Sequence, residues 1–149
     1  MLRKIFYILL FISLGNCGYS PIYSKNNKIN FSINNLKFEG DRQINNYLKS
    51  KILSYNSEGE DIHDFEIISD YKKTILSKDA TGAAADYQLS LNLLIKVKSE
   101  NHNKNYNFNE TFLLKKDDDN ITESNYENTV KKNLVDTIFD KFILRMMDR

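Results

Sequence analysis

The residue with the most chemistry to offer in this chain is its single cysteine, Cys17. A lone thiol cannot close an internal disulfide, so it is either a small buried apolar side chain or a group that is modified. Its place directly after an apolar run favours modification. His63 and His102 fall in stretches that read as loops, with no further ligating residue at metal-binding spacing, and are expected to be exposed and unligated. The five glycines form no phosphate-cradling loop, and no Gly-x-Ser-x-Gly elbow occurs. Asp117-Asp118-Asp119 sits in the mixed-charge stretch KKDDDN and reads as solvated rather than catalytic. The pairs Lys72-Lys73, Lys115-Lys116 and Lys131-Lys132 read as soluble surface, with phosphate contact as the functional alternative. The expectation is a chain that is not an enzyme, with no metal and no resident cofactor.

The cysteine is placed by the segment before it. Leu2-Arg3-Lys4 is a short basic start, and Ile5 to Leu14 (IFYILLFISL) is apolar apart from Ser13. A ten-residue helix rises only about 15 Å, whereas a membrane span needs roughly 20 residues. The run has the size of the apolar core of a secretory signal, and it lacks the polar face of a buried amphipathic helix. Leu14-Gly15-Asn16-Cys17 resembles a bacterial lipobox, with Asn16 standing where Ala, Gly or Ser is usual. Cleavage before Cys17 would remove residues 1–16 and expose the cysteine for a covalent acyl lipid, the only attached group expected. Each buried methylene contributes about 0.8 kcal/mol, so one acyl chain binds marginally while two or three hold a protein in place. Gly18, where Asp would mark inner-membrane retention, points to the outer membrane.

Residues 17–27 carry no periodic pattern and read as a lipidated tether, bent at Pro21. Residues 28–149 read as one domain. Ile29, Phe31 and Ile33 alternate as in a strand, after which the apolar phase moves to Leu36 and Phe38 and implies a bulge near Asn34-Asn35. Ile44, Tyr47, Leu48, Ile52 and Tyr55 give one face of a helix over 41–55, followed by the polar loop NSEGED. A second strand over 64–78 shows Phe65, Ile67, Tyr71 and Ile75 on one parity, interrupted by Ser69 and Lys73. After the small-residue turn ATGAAA, Tyr87, Leu89, Leu91, Leu93, Ile95 and Val97 alternate with polar residues apart from Leu94, the pattern of a half-buried antiparallel strand. A polar hairpin loop over 99–104 leads to a return strand with Tyr106, Phe108, Phe112 and Leu114, in which Glu110 breaks the pattern. Ser124 and Glu127 have capping-box spacing and are expected to open a last helix. Its apolar stripe runs from Val130 to Met147, and Lys131, Lys132, Asp136, Asp140 and Lys141 mark its wet side.

The order strand-helix-strand-strand-strand-helix predicts an α+β, two-layer sandwich with two helices packed on one face of a four-stranded sheet. Charged residues make up 28%, hydrophobic residues 41%, and the net charge is +1. That is ordinary for a globular domain and offers no electrostatic case for nucleic-acid capture.

Three features resemble the lipopolysaccharide-assembly lipoprotein family LptE. The opening Cys17-Gly18-Tyr19-Ser20-Pro21-Ile22-Tyr23 is similar to that family's Cys-Gly-aromatic-x-Pro-aliphatic-Tyr start. Ala84 through Asp86-Tyr87-Gln88-Leu89 resembles its central strand, and Phe142-Ile143-Leu144-Arg145-Met146 resembles the end of its last helix. The resemblance implies an outer-membrane lipoprotein that sits largely within the lumen of the barrel LptD and helps insert lipopolysaccharide into the outer leaflet. It also implies Lys132 as a lipopolysaccharide contact. Two other classes fit the residues: another envelope lipoprotein serving as a periplasmic binding module or transporter accessory, and a small periplasmic hydrolase using scattered carboxylates and a histidine.

Overall fold

In the computed structural model, residues 31–58, 62–100 and 102–147 are described. The expected signal, Cys17 and the tether lie outside the described residues. The elements are β1 (Ser32–Gly40), α1 (Arg42–Leu53), β2 (Ile62–Lys78), β3 (Ala84–Lys98), β4 (Asn103–Lys115) and α2 (Asn120–Met147). The sheet order is β1-β2-β3-β4, with β1 parallel to β2 and the other pairs antiparallel. A parallel pair needs a crossover connection, which α1 supplies. Both helices pack on one sheet face, so the α+β sandwich and its element order are as the sequence predicts.

The core forms where the period-2 and period-3.6 stripes meet. Phe65 and Ile67 of β2, Leu89, Leu91, Leu93, Ile95 and Val97 of β3, Ile44, Leu48 and Ile52 of α1, and Val130, Leu134, Val135, Ile138, Phe139 and Phe142 of α2 are buried in one cluster. Phe142 is the hinge of its aromatic part, meeting Phe65, Tyr106, Phe108 and Phe139 at centroid distances of 5.3–6.5 Å. The expected break in β1 is a register shift between Ile33 and Asn35.

The turn from β1 into α1 depends on close backbone approach. Gly40 has φ 94°, and a Cβ there would stand 1.8 Å from the Ser69 carbonyl oxygen. The Asp41 N–H donates to that same oxygen at 3.3 Å. Asp41 then caps α1, its carboxylate accepting from the Ile44 N–H at 2.9 Å. Ser69, which seemed to interrupt the β2 stripe, is buried and donates to Asn45 Oδ1 at 2.8 Å. A buried hydroxyl is thus placed to fasten the turn.

Several expectations are corrected. His63 is not in an exposed loop: it lies in β2, is buried, and packs against Phe31 and Phe65 at 6.2 and 6.1 Å. The last helix starts at Asn120, a turn before the Ser124–Glu127 capping box. Its cap is Asp119, which accepts from the Ile121 N–H at 3.0 Å and the Thr122 hydroxyl at 2.7 Å. The acidic run is therefore in part a helix start rather than only solvated charge. Lys131 is not on the wet side, its side chain being only 13% exposed. Ile75, counted on the core stripe of β2, is 55% exposed.

The exposure of Ile75 follows from unequal strand lengths. β1 pairs with β2 only from Ser32↔Ile62 to Gly40↔Ser69, and α1 returns over that half. The far half of β2, with the parts of β3 and β4 beside it, is a three-stranded sheet covered by α2 alone. α2 crosses it obliquely: its N-terminal half reaches Tyr71 and Lys73 of β2, and its C-terminal half reaches Tyr106 to Glu110 of β4.

Candidate functional site

The N-terminal half of α2 is held to the sheet by charge as well as by apolar contact. Glu123, Glu127 and Lys131 are spaced by four residues and share one helix face. Lys73 Nζ donates to Glu123 at 2.7 Å and to Glu127 at 2.9 Å. The Tyr71 hydroxyl donates to Glu127 at 2.9 Å, and Lys131 pairs with Glu127 at 3.3 Å. Lys131 also lies 4.5 Å from the Tyr71 ring centroid and donates to Gln43 Oε1. Gln43 in turn donates to Asn128 and to the Tyr47 hydroxyl, joining α1 to the network.

The protonation states follow from this geometry. Burial raises the Tyr71 phenol well above its ordinary value, and the Glu127 carboxylate it donates to adds to the effect. Burial opposes ionisation of Glu127, but hydrogen bonds from Lys73, Tyr71 and Lys131 outweigh it and hold the carboxyl low. Hydrogen bonding from Lys73 does the same for Glu123, against partial desolvation. Desolvation would lower Lys73, yet its bonds to both glutamates raise it. Glu123, Glu127 and Lys73 therefore stay charged at neutral pH while the Tyr71 phenol stays protonated. The network is suited to fixing α2 on the sheet and not to acid–base chemistry.

Lys132 is exposed on the outer side of α2, its Nζ 5.4 Å from the Tyr47 ring centroid. It borders the network at Tyr47 without joining its ion pairs, and its exposed ammonium is reachable by an anion. The structure thus splits the pair Lys131-Lys132 into an inward, satisfied cation and an outward one. Lys72 and Lys73 divide in the same way, Lys72 pairing with Asp70 on the open sheet face. His102 is exposed and joins nothing at this site. Among the described residues, no three His, Cys, Asp or Glu side chains gather to hold a metal ion. The network had a readable signal, since Glu123, Glu127 and Lys131 stand at helical spacing and Lys73 breaks the core parity of β2. What was missing was the knowledge that these two lines face each other.

The sheet face away from the helices is open and mostly polar. Its rows run Lys37, Glu66, Lys96, Asn105 and then Asn35, Asp64, Lys98, Asn103 across the four strands. Glu66 and Lys96 pair at 2.8 Å, and this hydrogen bond holds the Glu66 carboxyl below its usual range. A shallow cleft there is lined by Asn35, Lys37, Asp64, Glu66, Lys96 and Lys98. Farther along, Asn92 and Asn109 join their side-chain amides across β3 and β4.

No family model and no curated protein sequence matches the chain. Solved structures do. The rare lipoprotein B from Shewanella oneidensis superposes with a TM-score of 0.55 at 14% identity, over 77% of this chain and 98% of that one. The uncharacterized lipoprotein B from Nitrosomonas europaea superposes with a TM-score of 0.53 at 15% identity, over 74% of this chain and 81% of that one. The chain shares the fold of these two proteins.

Proposed function

We infer that this protein is an outer-membrane lipoprotein, acylated on Cys17, that fills and supports an LptD-type barrel during delivery of lipopolysaccharide to the outer leaflet. The observation that carries the reading is the fold shared with two bacterial lipoproteins, one of which it matches over 98% of its length. The mature start Cys17-Gly18-Tyr19-Ser20-Pro21-Ile22-Tyr23 supports it from the sequence side. The physical argument runs the same way. A wide barrel cannot fill its lumen with its own side chains, and that lumen is polar. A compact domain with a polar open sheet face suits such a space. A tether over 17–27 spans at most roughly 35 Å, enough to join a lipid in the bilayer to a lumen entrance. Lys132 is the residue assigned to lipopolysaccharide contact.

Depletion of the protein in its native cell tests the reading. Properly assembled LptD, followed by its heat-modifiable mobility, and lipopolysaccharide at the cell surface should both fall. Normal levels of both after depletion would refute the assignment and leave a periplasmic binding module as the better account.

A further inference from the structure

A lysine on a helix surface is commonly engaged by a carboxylate one turn away, because residues four apart are neighbours. Lys132 has a single such carboxylate. Asp136 follows it by four positions, whereas Asn128, Thr129 and Val135, its other neighbours at that spacing, carry no charge. Asp136 is already taken. Lys51 of α1 reaches across and holds its carboxylate at 2.7 Å. Among the described residues Lys132 therefore makes no ion pair, and its ammonium lies over the Tyr47 ring instead. Lys72, Lys96 and Lys141 show the alternative, each held by a carboxylate: Asp70, Glu66 and Glu110.

The two α1 residues belong to one line. Gln43, Tyr47 and Lys51 are spaced by four and meet α2 in order. Gln43 reaches Asn128 and Lys131, Tyr47 reaches Lys132, and Lys51 reaches Asp136. The ring under Lys132 is itself held in place, since the Tyr47 hydroxyl accepts from Gln43 Nε2 at 3.1 Å. Lys51 is steadied by the Phe139 ring, 5.6 Å from its Nζ. An aromatic face attracts a cation without neutralising it. A lysine ammonium has three donors, so those turned away from the ring remain open to an anion. A carboxylate partner would cancel the charge instead.

We propose that Lys51 and Tyr47 are positioning residues for anion binding at Lys132. Lys51 acts by keeping Asp136 occupied, and Tyr47 by holding the ammonium in one place beside α1. The ligand class is an anionic group of a lipopolysaccharide, and the proposal rests on the assignment of Lys132 to that contact. It adds the reason the charge of Lys132 is available: the opposite helix removes its natural partner.

The test titrates purified lipopolysaccharide against the full mature protein in detergent. Lys132→Gln should weaken binding about tenfold, the loss of one charge-assisted bond. Lys51→Ala should weaken it about two- to fivefold, because Asp136 then captures Lys132 with the strength of an exposed ion pair. Adding Asp136→Ala to Lys51→Ala should restore wild-type affinity, although a further side chain is removed. Tyr47→Leu should cost about two- to fivefold, whereas Tyr47→Phe keeps the ring and the affinity. In a Lys132→Gln background neither Lys51→Ala nor Tyr47→Leu should weaken binding further. The Lys51–Asp136 pair is at the surface, with side chains 35% and 49% exposed, so its removal leaves the fold intact. If Tyr47→Leu does not fold, the Lys51 series decides. Wild-type affinity in Lys51→Ala overturns the proposal. So does a loss that Asp136→Ala fails to rescue, or one that persists without Lys132, since Lys51 would then meet the ligand itself. If Lys132→Gln binds as wild type, the contact assignment falls and the proposal with it; if Lys132→Gln is weak and Lys51→Ala is not, the proposal alone falls.

Discussion

Gly40 and Gly82 make a matched experiment within one molecule. Both have positive φ, 94° and 85°, so alanine at either position bears the left-handed penalty of about 1–2 kcal/mol. Only Gly40 faces an obstacle: its Cβ would stand 1.8 Å from the Ser69 carbonyl oxygen, whereas a Cβ on Gly82 meets nothing within 4 Å. To relieve that clash β1 must part from β2, which breaks the Asp41 N–H bond to Ser69 and disturbs the buried bond from Ser69 to Asn45. Leaving such groups unsatisfied costs about 1–3 kcal/mol. Gly40→Ala should therefore cost about 2–5 kcal/mol in all, a large part of the 5–15 kcal/mol typical of a domain. In thermal unfolding followed by circular dichroism, that is a fall of roughly 10–20 °C, against a few degrees for Gly82→Ala. Equal shifts for the two variants would refute the claim that contact with Ser69, and not φ alone, makes glycine necessary at position 40.

Three further outcomes are expected. The glutamates of the α2 network have depressed folded-state pKa values, so their stabilisation is present above the unfolded value of about 4.3 and is lost as pH falls through the folded values. Lys73 is raised, so its contribution is present below about 10.4 and lost only above its folded value. The contribution of this network to stability should thus be level between roughly pH 5 and 10. Glu127→Gln should lose about 1–2 kcal/mol at pH 7 and flatten the acid limb; an acid limb identical to wild type in urea titrations would contradict this. Cys17→Ala should abolish incorporation of a fatty-acid probe, since no other thiol is present; labelling at wild-type level would end the lipoprotein reading. Lys132→Glu should weaken lipopolysaccharide binding by the purified protein while changing unfolding free energy by less than about 1 kcal/mol, because only an exposed cation over Tyr47 is altered. Unchanged binding would remove Lys132 from the contact surface.

Much of this molecule is settled by local pattern. The alternation from Tyr87 to Val97 places β3 because a strand repeats every two residues and one face must be dry. The stripe from Val130 to Phe142 places α2 because a helix repeats every 3.6. The slip in phase between Ile33 and Leu36 is a bulge for the same reason. Other features have no local cause. His63 reads as a loop residue beside a polar stretch, yet β1 and Phe31 arrive from elsewhere in the chain to bury it. Ile75 fits the core stripe, but β1 and α1 end too early to cover it. Ser69 and Lys73 look like faults in a strand until Asn45, Glu123 and Glu127 are brought against them, 24, 50 and 54 positions away. The period of an element depends on its own residues; whether a polar side chain on it is a fault or a fastening depends on what the rest of the chain packs beside it. The same division separates Lys131 from Lys132. The two are neighbours in sequence, but the 100° between adjacent helix positions turns one inward to Glu127 and leaves the other in water.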